Sequence, residues 1–122
     1  MAQHNELGIK GEDIAFHYLV KKGYTIKARN WRYERAEIDI VAIDKNELVI
    51  VEVKTRSAAI YEEPRDSITP QKIRFLTNAA QAYIEEFEID YETRFDVISI
   101  KWFGEGKYEL EHFEDAFLPP VN

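Results

Sequence analysis

Residues 37–55 read EIDIVAIDKNELVIVEVKT, two apolar runs, Glu37 to Ile43 and Leu48 to Thr55, parted by a short polar break. That pattern predicts a β-hairpin with charges where a core should be. A tight loop centred on Lys45 and Asn46 sets residue 44 opposite 47 and, by the same register, Asp39 opposite Glu52. Directly opposed residues in an antiparallel pair have Cβ atoms roughly 4.5–5.5 Å apart, so two ionised carboxylates there repel. Either one of them holds a proton or a cation lies between them, and a divalent metal suits two carboxylates.

Lys54 follows Glu52 by two residues, so the strand period turns its ammonium to the same face as both acids. Phosphodiester hydrolysis needs this set: carboxylates to hold a hard cation, and a lysine to orient the attacking water or stabilise developing charge. A purely structural reading also exists, because the same register puts Glu37 opposite Lys54 as a cross-strand ion pair. A Glu-x-Lys alone carries little weight: Glu105 and Lys107 share the spacing but belong to a glycine turn, Gly104 to Gly106. The like-charge pair Asp39 and Glu52 favours chemistry, since Val49, Ile50, Val51 and Val53 place it in a strand buried on both faces.

The composition suits one globular domain, residues 1–122, at 45% apolar and 13% aromatic content. The chain has no cysteine, no run of about 18 apolar residues and no signal-peptide pattern, which predicts a cytoplasmic protein without membrane association or thiolate zinc. His4, His17 and His112 lack ligand spacing and are left out of the site. The net charge of −7 argues against a protein that coats nucleic acid, yet the charge is uneven. Residues 1–74 hold 13 Lys and Arg against 12 Asp and Glu, whereas residues 75–122 hold 3 against 11. The half with the candidate site is therefore nearly neutral.

Along the chain, Ile14, Ala15, Tyr18 and Leu19 predict a first helix over Gly11–Lys22, stopped by Gly23. Glu12 lies at the edge of its apolar stripe, able to face either the sheet or solvent. Tyr24 to Asn30 reads as a strand, followed by a connection in which Arg29, Trp31, Arg32, Tyr33 and Arg35 alternate basic and aromatic groups. Such a mixture contacts phosphates and stacks on bases, or forms a solvated loop around one buried tryptophan. After a polar loop through Arg65, Thr69 and Pro70 cap a second helix carrying Ile73, Leu76, Ala80, Tyr83 and Phe87. Its start, with Gln71, Lys72 and Arg74, offers N–H groups and positive charge to a phosphate. Arg94 to Trp102 and Lys107 to Phe113 form a second hairpin, and Pro119 and Pro120 end the ordered chain. The order helix, three strands, helix, two strands predicts an α/β sandwich: a mixed central sheet flanked by helices.

Gly11-Glu12, Lys22-Gly23-Tyr24, Ala28-Arg29-Asn30-Trp31, Glu37-Ile38-Asp39, Val51 to Arg56, Ile68-Thr69-Pro70-x-Lys72, Arg94 to Val97 and Asp115-Ala116-Phe117 together resemble the bacterial YraN family, over nearly the whole chain. That family resembles archaeal Holliday-junction resolvases within the PD-(D/E)xK superfamily, which implies a restriction-endonuclease-like fold and a magnesium-dependent nuclease. Ala36 stands where the family usually has Gly, and Ile38 where the superfamily's name has Pro; neither replaces a reacting group. The resemblance assigns catalysis to Glu12, Asp39, Glu52 and Lys54, and Mg²⁺ or Mn²⁺ to Asp39, Glu52 and the Val53 carbonyl. Nucleic acid, expected to be branched or otherwise structured DNA, is assigned to Arg29, Trp31, Arg32, Arg35, Arg56 and Lys72. The competing class is a non-catalytic module binding nucleic acid or protein on the same fold. A resolvase-like activity further implies a two-fold dimer, for which Phe113, Phe117 and Leu118 offer a contact surface unless they cover the protein's own sheet.

Overall fold

The computed structural model describes residues 6–59 and 68–118. The expected polar loop through Arg65 and the expected end of order at Pro119 and Pro120 lie outside the described residues. Helix α1 (Glu6–Lys21) leads into β1 (Thr25–Tyr33), β2 (Ala36–Asp44) and β3 (Glu47–Ser57); α2 (Pro70–Phe87) then crosses to β4 (Glu92–Gly104) and β5 (Lys107–Phe113). The five strands form one sheet in chain order. β3 and β4 run parallel, joined by the α2 crossover, and every other neighbouring pair is antiparallel.

The helices cover opposite faces. Leu76, Ala79, Ala80 and Tyr83 of α2 pack on Ile38, Val41, Leu48, Ile50 and Phe95. Ala15 and Leu19 of α1 pack on Ile40, Ala42, Val49, Val51, Ile98 and Ile100. Leu48 and Ile50 thus face α2 while Val49 and Val51 face α1, the two-sided burial that the apolar run of β3 predicts. Phe117 stacks on Phe95 at 5.1 Å and belongs to the α2-side core, so this part of the C-terminal stretch covers the protein's own sheet. Leu118 beside it is 76% exposed. Among the described residues no helix is long and apolar enough to cross a membrane.

Several boundaries differ from the sequence expectation. The first helix begins at Glu6, so Gly11 lies inside it and does not open it. β1 continues through Tyr33, so Arg29, Trp31 and Arg32 are strand residues and only Glu34 and Arg35 form the turn. Thr69 behaves as expected: its hydroxyl accepts the Lys72 N–H at 3.1 Å, with Pro70 next in line, where a missing N–H costs nothing. The turn between β2 and β3 is the tight one expected, with Lys45 in the left-handed region and Asp44 paired with Glu47.

Two contacts lock this frame. At Gly11, α1 lies so close to β3 that an added Cβ would stand 1.8 Å from Thr55 Oγ1 and 2.8 Å from Thr55 Cβ. At the other end of the sheet, the Arg94 guanidinium donates to Asp96 (2.9 and 3.0 Å), to the Tyr24 hydroxyl (2.7 Å) and to Glu47 (2.8 Å). Asp96, fully buried, also meets His112 Nε2 at 2.7 Å and accepts the Asp115 N–H at 3.0 Å. Burial opposes its charge, but His112, Arg94 and the Asp115 N–H outweigh it and hold the Asp96 carboxyl below its ordinary value.

Gly11→Ala should therefore lift α1 off β3 and cost about 1–3 kcal/mol, the usual range for overpacking. In urea unfolding, Thr55→Ala in the same chain should recover part of that loss because it removes the nearest atom. Asp96→Asn should cost about 3–5 kcal/mol at neutral pH by removing the buried charge that Arg94 and His112 share. Asp96 is depressed in the folded state, so its contribution is present above the ordinary carboxyl value of 3.8 and lost as pH falls through the folded value. The gap between wild type and variant should close on acidification.

Candidate active site

The β2–β3 ladder follows the expected register from Asp44–Glu47 to Ile40–Val51 and stops there, one step before Asp39 and Glu52. The expected direct pairing of these two acids is thus corrected: the strands part at this point. Asp39 explains how. Its Oδ2 accepts the Val53 N–H at 2.8 Å, a donor that a continued ladder would have given to a β2 carbonyl. One carboxylate therefore ends the ladder and satisfies its last donor, and the charges are spared a rung-to-rung contact.

A second irregularity lies in the same place. Ile38 packs on the α2 side and Ile40 on the α1 side, although two residues apart in one strand should share a face. Opposite them on β1, Ala28 and Trp31 both face α2, and Asn30 between them has φ +52°. Asn tolerates this left-handed conformation better than most residues. Both strands reverse face here. Asp39, at the reversal, can therefore meet groups from both sides of the sheet.

From the α1 side come Glu12 and Glu37. Carboxylate oxygens of Glu12, Glu37 and Asp39 all lie within 4.8 Å of one another. The Asn30 amide nitrogen donates to Glu12 Oε1 at 2.9 Å and to Glu37 Oε2 at 2.8 Å, bridging two of the three. Arg32, directly across the β1–β2 ladder, binds the other Glu37 oxygen at 2.6 Å. Glu37 thus draws its cross-strand cation from β1, whereas the structural reading had expected Lys54. Glu12 follows Gly11, where α1 approaches β3 too closely for a Cβ.

From the α2 side comes Glu52, only 3% exposed. Its Oε2 accepts from Lys72 Nζ at 2.8 Å, with Lys54 Nζ 3.6 Å away. Its Oε1 is buried and has no hydrogen-bond donor among the described residues. Burial and the nearby Glu52 charge push the Asp39 carboxyl well above its ordinary value, against the pull of the Val53 N–H. Burial works against the Lys72 ammonium, but Glu52 outweighs it and raises its pKa.

The four catalytic candidates, Glu12, Asp39, Glu52 and Lys54, are therefore gathered at one fork, and Val53 is hydrogen-bonded to one of them. The candidates for nucleic-acid contact are more scattered. Lys72 is in the fork itself. Arg29 pairs with Asp13 at 2.9 Å and lies over the Phe16 ring. Trp31 packs edge-on against Tyr83 at 5.2 Å in the α2-side core, stacked with Tyr33 on its other side. Arg35 lines a surface hollow of about 320 Å³ with Tyr33, Glu34, Ala36, Phe75 and Asn78. Arg56 follows the site strand outward, half-buried on β3.

Sequence reasoning missed Asn30 as the bridge between acids and missed Lys72 as a partner of Glu52. The signal for the first was an Asn in the middle of a strand; the second joins residues 20 apart through a crossover and leaves no local trace.

The profile of the uncharacterised protein family UPF0102 matches residues 11–100, which include every element of the fork. A UPF0102 protein of Bacteroides thetaiotaomicron is 48% identical over 122 residues, spanning 99% of either chain. One of Bacteroides fragilis is 49% identical over the same span, and one of Flavobacterium psychrophilum is 48% identical over 118 residues. With a matching profile over most of its length and relatives this similar from end to end, the chain belongs to the uncharacterised protein family UPF0102, the YraN family of the motif resemblance.

Proposed function

We propose that this protein is a divalent-metal-dependent endonuclease that hydrolyses phosphodiester bonds in structured or branched DNA. The observation that carries the reading is Glu52 Oε1, a buried carboxylate oxygen with no donor among the described residues, in a fork whose other acid, Asp39, is driven toward its protonated form. Buried polar atoms are almost always paired, and an orphan acceptor beside a second carboxylate fits a cation. Asp39, Glu52 and the Val53 carbonyl would hold Mg²⁺ or Mn²⁺, an all-oxygen set matching these hard ions. When bound, such an ion supplies Lewis acidity and charge stabilisation at the phosphodiester.

The chain's own groups have distinct parts. Lys54, next to Glu52 but too far for a tight hydrogen bond, orients the attacking water and offsets negative charge growing on the phosphoryl oxygens. Glu12, fixed by Asn30, adds a further acidic contact at the rim. Arg35 and Arg56 are the expected sources of phosphate contact outside the fork, and the cytoplasm is the expected compartment. A two-fold dimer would place two such forks on one branched substrate.

One observation favours the second reading, a binding module without catalysis: two ammonium groups lie within 4 Å of Glu52 in the described structure. Cleavage decides between them. A labelled panel of duplex, single-strand, flap and four-way-junction DNA plus structured RNA, in Mg²⁺ or Mn²⁺, should show cutting. Asp39→Asn, Glu52→Gln and Lys54→Ala should each reduce it by on the order of 10²–10³. Equal activity in wild type and all three variants would trace the cutting to a contaminant and leave the binding module.

The raised Asp39 carboxyl yields a separate check. The folded state binds this proton more tightly than the unfolded chain, so between the ordinary and the raised value stability falls as pH rises, and the penalty is complete above it. Without metal, Asp39→Asn should therefore melt several degrees higher than wild type at neutral pH. Calorimetry in buffers of different ionisation enthalpy should show Mn²⁺ binding releasing protons in wild type, weakening on acidification and vanishing in Asp39→Asn.

A further inference from the structure

Lys72 is the cation most firmly attached to the fork, and the catalytic and metal roles above leave it unused. Its ammonium reaches Glu52 Oε2 at 2.8 Å, inside hydrogen-bonding distance, whereas Lys54 stands off at 3.6 Å. The Lys72 side chain is 39% exposed and that of Glu52 only 4%, so the lysine reaches a buried acid from a partly exposed position. Its backbone is fixed by the α2 cap, where the Lys72 N–H is the donor accepted by Thr69 Oγ1. The lysine is thus aimed at the acid by a rigid first turn.

The charges around it are nearly all spoken for. Glu37 is held by Arg32 and Asn30, and Glu12 by Asn30. Asp39 is engaged by Val53. On Glu52, one oxygen lacks a donor among the described residues and the other carries Lys72. A divalent cation approaching Glu52 would meet an ammonium already on that carboxylate, and two positive charges at such separation in a half-buried site repel strongly. A long, partly exposed lysine side chain can swing away, unlike the buried, strand-borne Glu52.

We propose that Lys72 is a built-in counter-ion: it occupies Glu52 in the metal-free protein, yields that carboxylate to the divalent cation, and transfers its ammonium to a phosphate of the nucleic acid. The inference rests on the metal-nuclease reading and adds a residue and an order of events to it. Cation and phosphate then favour each other, since the group displaced by one is the ligand of the other. Lys72 acts as a positioning residue, coupling the start of α2 to the loading of the fork.

The test uses the full chain and Mn²⁺ alone, by calorimetry, before any nucleic acid is added. Lys72→Gln removes the competing charge and should bind Mn²⁺ about three- to tenfold more tightly than wild type, with Lys72→Arg within about twofold of wild type. On Lys54→Ala protein, in which cleavage is expected to be too slow to deplete the substrate during the measurement, adding Lys72→Gln should weaken four-way-junction binding in Mn²⁺. It should also lower the slope of log affinity against log salt by about one. Unchanged or weaker Mn²⁺ affinity in Lys72→Gln would overturn the inference, as would an arginine variant that binds as tightly as the glutamine one. Absence of any Asp39-dependent Mn²⁺ binding in wild type would instead overturn the metal reading, and this inference with it.

Discussion

The bond from the Val53 N–H to the Asp39 carboxylate is the constraint on which the site depends. A β-ladder left to itself would continue, and continuing would bring two acids face to face in a low-dielectric interior. By taking a β3 donor with its own side chain, Asp39 ends the ladder without leaving a buried N–H unsatisfied. The strands can then diverge, and the fork between them is open to α1 on one side and α2 on the other. The face reversal at Asn30 and Asp39 belongs to the same adjustment, because it lets one carboxylate address groups on both sides of the sheet.

The molecule treats its buried acids in two contrasting ways. Asp96 is surrounded by Arg94, His112 and the Asp115 N–H, and its charge is stabilised. Asp39 and Glu52 are less completely satisfied: one is driven toward its neutral form and the other keeps an oxygen with no donor among the described residues. A fully satisfied cluster rigidifies a frame, whereas an under-satisfied one with a perturbed carboxyl marks a candidate functional site. That contrast separates scaffold from site within one small sheet.

Much of this was legible in the sequence where local rules govern. The two-residue turn at Lys45 and Asn46 set the β2–β3 register, and the Thr69-Pro70 pair marked the start of α2. The gathering of Asp39, Glu52 and Lys54 followed from the hairpin. The rest depended on geometry that no period describes. Strict alternation assumes a strand never reverses face, so Asn30 looked like an ordinary strand residue while its backbone turns left-handed. The helix start at Glu6 was hidden because the apolar stripe begins later. Trp31 and Arg29, read as one recognition segment, face opposite sides of the sheet, one in the α2 core and one against α1.

The turn at Lys45 and Asn46 has a consequence beyond joining two strands. It is the zero point from which every rung of the β2–β3 hairpin is counted, and the fork opens where that count ends. A slip of one residue there would exchange the two faces of β3, sending Glu52 and Lys54 toward α1 and the valines of the α1 core toward α2. A change in the length of this turn would therefore rearrange the acids at the far end of the hairpin. The arrangement of the fork is thus tied more tightly to the length of this turn than to any single side chain within it.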